Sequence, residues 1–355
     1  MDLALVAHHV DAADGTGGYV YELARRLAAE HKVTLYAASV GPGLPPEINV
    51  VRVPAVRRPT YATILSFPYA FASVRRRHDL VHAQGWVTSS ADVVTAHIVL
   101  KAWREAARRA RVRTPWGERL FGAFVERREA RLFGHTAREV IAPSRCAADD
   151  LARCYGRSSH VTVIPHGFDR AVPTVARTAV RSRLGLASNA FVALYVGDPR
   201  KGLRVAAEAL DHAEGVHLLV LSRSAPDGGA HSPRMLWAPA DLTLAEAHAA
   251  ADVLLHPSIY DTFGLVVAEA MAHGLPVIVS RETGVAELIE HGRSGWVLDR
   301  VEAECAGASL RVLAGEPVLR AQLAEGGRAV AARRRWDDVA RETAAVYRRA
   351  LERQT

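Results

Sequence analysis

Two carboxylates eight positions apart pose the first chemical question. The stretch "DTFGLVVAEAMAHGLPVIVS", residues 261–280, opens on Asp261 and holds Glu269 inside an otherwise apolar or small run. The pattern predicts a helix that begins at Gly264 and Leu265, with Gly274 just past its end and Pro276 beyond. Asp261 then stands before the helix N-terminus, where a capping role accounts for it tolerably. Glu269 falls in the second turn, and an exposed charge accounts for it poorly. Leu265, Val266, Val267, Ala268, Ala270 and Met271 leave little of the circumference polar, so Glu269 is expected to face a cleft or a buried partner. At about 1.5 Å per residue the two acids lie roughly 10–12 Å apart along the axis. That span suits a ligand with two polyol parts joined by phosphates, such as a nucleoside diphosphate sugar.

Two loops have the composition to hold those phosphates. "DAADGTGGYVYELARR" places Gly15, Gly17 and Gly18 before a helix, where backbone N–H groups can approach an anion. The spacing is not that of G-x-G-x-x-G, and tight-turn packing is the competing reading. "YVGDPRKGLRVAAEAL" sets Arg200 and Lys201 where a strand gives way to a helix. Cations there oppose the helix dipole unless an anion compensates them, and a diphosphate would do so. A solvated turn is the alternative.

The elements that must position these loops read as βαβ units. "LALVA", "VTLYA", "INVVRV", "LVHA", "VVTAHIV" and "EVIA" are strand-like in the first half, as are "FVALYVG", "VHLLVL", "DVLLHPS", "LPVIVS" and "GWVLD" in the second. Several are apolar on consecutive positions, as in parallel strands covered on both faces. Helical stretches such as "YVYELARRLAAE" and "KGLRVAAEALDHA" alternate with them. The expected fold is α/β, with two doubly wound, Rossmann-like domains facing each other across a cleft. Domains are expected at 1–170 and 171–335, the seam falling in "VIPHGFDRAVPTVARTAV". Residues 336–355 form a last helix that packs back on the first domain.

Here the ordered motifs resemble a known family. "DTFGLVVAEAMAHGLPVI" is similar to the E-x7-E region of retaining GT-B glycosyltransferases of family 4. "GTGGYVYELARRLAAEHKVTLYA", "DLVHAQ", "VIAPSRCAADDL", "VIPHGFD", "YVGDPRKGL", "ADVLLHPS", "TGVAELIEHGRSGWVL" and "RRWDDVARETAAVYRRAL" follow in the family's order over nearly the whole chain. The resemblance implies a GT-B fold and transfer of a sugar from a nucleoside diphosphate donor, UDP- first and GDP- next, with retention. It implies that Glu269 holds the donor ribose and Asp261 the donor sugar hydroxyls. Phe263, Gly264 and Leu265 would offer backbone N–H groups, Arg200 and Lys201 would neutralise the diphosphate, and Gly17 and Gly18 would close over the phosphates. His97, in "VVTAHIV", would approach the donor sugar; a structural histidine after a strand is the other reading.

Three departures stand out. Asp261 occupies a position where Glu is usual. The loop before the second domain's first helix is a compact "RKG" with Asp198 at the common Arg position, similar to the lipopolysaccharide-core glucosyltransferase branch. Residues 222–234, "SRSAPDGGAHSPR", replace the family's glycine turn.

Composition narrows the remaining choices. With 49% apolar and 23% charged residues the chain reads as globular, and its longest apolar runs are strand-sized. Cys146, Cys154 and Cys305 have no metal-ligand spacing and are expected to be buried thiols in a reducing cytoplasm. No Asp-x-Asp pair is present to hold a divalent metal, so metal-independent chemistry is expected. The net charge of +7 is uneven: Lys101–Arg138 carries 11 basic and 4 acidic residues, mixed with Trp103, Trp116, Phe121, Phe124 and Phe133. This segment is expected to meet a glycan, lipid-linked or small-molecule acceptor, or an anionic membrane face from the cytoplasmic side. A solvated arginine-rich helix pair is the alternative; nucleic acid is not expected. Competing functions are a nucleotide-sugar 2-epimerase, which needs no acceptor, and a catalytically degenerate partner subunit.

Overall fold

The computed structural model describes residues 1–169, 175–222 and 232–353. The chain forms two compact units, Met1–His166 with Trp336–Thr355, and Gly167–Arg335. Residue 170, the boundary expected from the sequence, lies outside the described residues.

The first unit holds a seven-stranded parallel sheet: β1 (Asp2–Val10), β2 (Lys32–Val40), β3 (Asn49–Arg52), β4 (Leu80–Gln84), β5 (Val93–Thr95), β6 (Glu139–Ala142) and β7 (Val161–Val163). Their spatial order is β3-β2-β1-β4-β5-β6-β7, so the order reverses between β1 and β4. β1 pairs with β2 from Asp2↔Lys32 to Val10↔Val40. The last helix, Trp336–Glu352, belongs to this unit. Its buried positions Trp336, Val339, Ala340, Thr343, Ala344, Val346, Tyr347 and Ala350 follow helical spacing, and it packs on the helix Gly15–Leu27. It is pinned by a buried polar contact: the Tyr347 hydroxyl lies 2.7 Å from His82 Nδ1, and His82 Nε2 lies 2.8 Å from Thr95 Oγ1.

The second unit is built on β8 (Phe191–Val196), β9 (Val216–Leu221), β10 (Met235–Trp237), β11 (Val253–His256), β12 (Val277–Ser280) and β13 (Trp296–Leu298). The order β10-β9-β8-β11-β12-β13 is that of a doubly wound nucleotide-binding sheet, with its reversal between β8 and β11. Consecutive residues feed two separate cores. Val192, Leu194 and Leu254 enter one; Ala193, Tyr195, Val253 and Leu255 enter the other. Burial on both faces is the reason these strands are apolar on consecutive positions.

Several local expectations need correction. The strands β7 and β10 escaped the sequence pattern because each is a three-residue pair at a sheet edge. In "KGLRVAAEALDHA" only Leu203–Glu208 is α-helical; Ala209–His212 tightens into a 3₁₀ turn, as helix ends commonly do. The three cysteines form no disulfide and are partly exposed instead of buried, since the helices that carry them leave those flanks open. No helix among the described residues is long and apolar enough to cross a membrane.

Candidate functional site

Ligands of doubly wound sheets bind beyond the C-terminal strand ends, at the reversal of strand order. In the second unit the loops after β8 and β11 meet at that point. The β8 loop turns through Pro199–Lys201, with Asp198 capping the turn by accepting from the Arg200 N–H. The β11 loop runs beside it, and the Ile259 N–H donates to the Lys201 carbonyl at 2.7 Å. Gly202 allows this approach, because a Cβ there would stand 2.2 Å from the Pro257 carbonyl oxygen.

Across the seam, Lys201 Nζ donates to Asp261 Oδ2 at 2.7 Å. Asp261 is held on three further sides. Its N–H donates to Glu282 O, its carbonyl accepts from Gly284, and its Oδ1 accepts from the Phe263 N–H at 3.3 Å. Burial works against the charge of this carboxylate. The Lys201 ammonium and the adjacent His256 more than offset that penalty and hold Asp261 well below the usual carboxylate range. It is an anion at any physiological pH.

His256, the last residue of β11, was missed by the sequence reading. It is buried, its Nε2 lies 3.7 Å from Asp261 Oδ2, and neither ring nitrogen has a hydrogen-bond partner. The available signal was an imidazole ending an apolar strand immediately before Pro-Ser.

The predicted helix spans Leu265–Ala272. Gly264 takes φ +88°, and a Cβ there would also press on Thr283 Cγ2 at 2.5 Å, so glycine is required twice over. Phe263 turns its ring into the core against Phe168. The first N–H groups of a helix have no partner inside it, which leaves those of Gly264 and Leu265 for other acceptors. Glu269 is buried within the helix. The Arg200 side chain is 53% exposed and pairs with Asp198 at 2.8 Å, so of the two basic neighbours it is Lys201 that reaches the acid. Most of the departed segment, residues 223–231, lies outside the described residues.

The first unit carries its own cluster at the corresponding strand ends. His97 follows β5, and its Nε2 lies 2.8 Å from Gln84 Oε1 at the end of β4. Its ring stands 4.8 Å from Tyr19 and 5.9 Å from His166. Burial pushes His97 down to about 3, so the ring is neutral and its Nε2–H donates to Gln84. The Gln84 amide nitrogen is buried without a partner. Gly15, Gly17 and Gly18, expected in a loop ahead of the helix, instead lie inside its first turns, the helix spanning Gly15–Leu27. A Cβ on Gly17 would meet Asp11 N at 2.9 Å, so this glycine is needed for the tight turn whatever else it does. Among the described residues no cluster of three or more His, Cys, Asp or Glu could hold a metal ion.

Two doubly wound parallel sheets in one chain are the layout of the GT-B fold. Comparison with known proteins agrees. Residues 13–172 match Glycosyltransferase Family 4, and residues 234–330 match Glycosyl transferases group 1. A D-inositol 3-phosphate glycosyltransferase of Geodermatophilus obscurus is 31% identical over 96% of this chain and 86% of its own. Among solved structures, sucrose-phosphate synthase of Thermosynechococcus elongatus aligns with a TM-score of 0.77 at 22% identity, covering 99% of both chains. Anabaena HepE in complex with UDP-glucose aligns at 0.71 and 18% identity, covering 97% of this chain and 98% of its own. The chain belongs to glycosyltransferase family 4, and it is a glycosyltransferase that draws on a nucleotide-sugar donor.

Proposed function

We propose that the protein transfers a hexose with retention, and without a metal, from a nucleoside diphosphate sugar to an acceptor hydroxyl. The observation that carries this reading is the Lys201–Asp261 pair, which joins one cation and one anion at 2.7 Å at the reversal of the second sheet. An ammonium has three donors. Lys201 can keep Asp261 and still donate to a diphosphate oxygen, stabilising the charge that develops there as the leaving group departs. Arg200 and the N-terminus of the helix Leu265–Ala272 add to that field. Asp261, fixed as an anion, accepts from hydroxyls of the sugar, and Glu269 from those of the ribose. For His97, a neutral ring, and for Gly17 and Gly18, a role toward the donor rests on the family resemblance alone. UDP is the preferred nucleotide on the likeness to a fold neighbour solved with UDP-glucose, with GDP next.

The acceptor we favour within the small-molecule class is a phosphorylated polyol. Relatives are named for inositol 3-phosphate, and the basic segment 101–138 belongs to the first unit. A lipid-linked acceptor at an anionic membrane surface is favoured by a different observation: Trp116 and Leu120 in that segment are 73% and 54% exposed. Co-sedimentation with anionic against neutral vesicles separates the two.

The donor assignment is tested by Glu269→Ala. Hydrogen bonds to a charged group contribute about 1.5–3 kcal/mol, so UDP-glucose affinity should fall roughly tenfold to a hundredfold with the unfolding midpoint little changed. Donor affinity equal to wild type would sink the assignment. Turnover should also survive EDTA.

A further inference from the structure

The N-terminal edge of the second sheet, at the opposite strand ends from Lys201 and Asp261, borders a cavity of about 500 Å³. It lies beside the residues that lead into β11 and β12, Asp252 and Pro276, and beside the first turns of the helix Pro317–Ala332. Its size is that of a small-ligand site, and its wall mixes alanine, proline and leucine with two arginines, two histidines and one aspartate.

Two imidazoles line it. His248, in the last turn of the helix Leu244–Ala250, and His273, which ends the helix Leu265–Ala272, approach Nδ1 to Nδ1 at 2.7 Å. His248 is 7% exposed, and its Nε2 is buried with no hydrogen-bond partner. Burial pushes His248 down to about 3 and also lowers His273, so at neutral pH the pair is uncharged and one Nδ1–H donates to the other Nδ1. Such a pair has one N–H and one lone pair at its outer nitrogens. Uptake of a single proton keeps the central bond and turns both outer nitrogens into donors.

The surrounding charges favour an anion. Arg320 lines the cavity, its guanidinium also donating to the Ala314 carbonyl at 3.1 Å. The one carboxylate in its wall, Asp252, is already held by Arg177 at 2.5 Å and Arg181 at 2.8 Å. Arg328 lies against Gly274, next to His273. On the pair's own helices, Glu246 is tied to Thr243 and Arg183, and Glu269 is buried one turn before His273. A metal would need a third ligand that the cluster lacks among the described residues.

We propose that this cavity binds a small organic oxyanion, a carboxylate or phosphate monoester, beside the His248–His273 pair, which takes up one proton from solvent as the anion enters. The site is separate from the donor end, and the helix Leu265–Ala272 has its first residue at one and its last at the other.

The test is calorimetric titration of the full chain with benzoate and with phenyl phosphate, in buffers of differing ionisation enthalpy. Between about pH 7 and 8.5 both probes are fully ionised. At least one should bind with uptake of about one proton and with affinity rising about tenfold for each unit of pH lowered. Benzoate alone binding assigns the carboxylate; phenyl phosphate alone, the phosphate. His248→Gln should weaken binding at least tenfold. Ala321→Trp, at an exposed position that lines the cavity, should do the same, while Lys201→Ala leaves it unchanged. Failure of both probes to bind, binding that ignores His248→Gln and Ala321→Trp, or affinity independent of pH overturns the proposal.

Discussion

Replacing Asp261 by Asn removes one charge and almost no volume from the end of the second sheet. The lost contact is the 2.7 Å pair with Lys201, whose side chain is 34% exposed against 15% for Asp261. Exposed pairs contribute about 0–1 kcal/mol, and removing one partner of a fully buried pair costs about 3–5 kcal/mol. With one partner buried and the other a third open, a loss of about 2 kcal/mol at pH 7 is expected. For a unit of this size that lowers the unfolding midpoint by about 4–8 °C. The pH dependence has a definite sign. A carboxyl held below its unfolded value of 3.8 adds stability that is fully present above that value and is lost as pH falls through the folded one. The gap between wild type and Asp261→Asn should therefore be constant above about pH 5 and shrink only below about pH 4. Urea and thermal unfolding at several pH values measure it. Equal stability at pH 7, or a gap that widens toward pH 4, would refute the reasoning. In the same variant UDP should still bind, since Lys201 remains, while sugar transfer falls by at least about tenfold.

Three further substitutions test other parts of the frame. Tyr347→Phe strips the fully buried His82 ring of its Nδ1 partner and should cost about 1–3 kcal/mol in urea unfolding. Gly202→Ala drives a Cβ into the Pro257 carbonyl, which should cost about 1–3 kcal/mol and weaken donor binding with it, because Lys201 and Ile259 are spread apart. Glu129 is pushed up to about 7 by burial, against the hydrogen bonds from Tyr155 and the Leu100 N–H. A carboxyl raised in the folded state gives stability that is complete below its unfolded value and is lost as pH rises toward 7, and Glu129→Gln should flatten that fall in a pH series of melts.

The parts of the fold that the sequence made legible are those with redundant signals. Strands such as β8 and the Val253–Leu255 run of β11 are apolar on consecutive positions because alternate residues enter two different cores, and that run is readable without coordinates. The helix at residue 265 was marked by Gly264 before it and Gly274 after it, both at positive φ. What stayed hidden depends on which loops meet. Lys201 and Asp261 are 60 positions apart, and nothing local to either says that one answers the other. Arg200 and Lys201 looked equivalent in sequence, yet Asp198 two residues earlier holds the arginine. His256 and Gln84 sit at strand ends, where a polar residue is as often a turn former as a ligand. His248 and His273 are 25 positions apart on two different helices, so no periodicity could join them.

The second unit is one unbroken stretch of chain, whereas the first is completed only when Trp336–Thr355 returns to it. The ends of the stretch are fastened to each other, since the Phe168 N–H donates to the Arg334 carbonyl at 3.0 Å. For protein engineering this makes the two halves unequal. The second can be excised between residues 167 and 335 with two cuts and no graft, and its clasped ends invite circular permutation. The first can be made alone only by splicing its last helix back on. A fragment that stops at His166 would leave the Gly15–Leu27 helix bare where Val339, Ala340 and Tyr347 had covered the unit, and it should be recovered as aggregate.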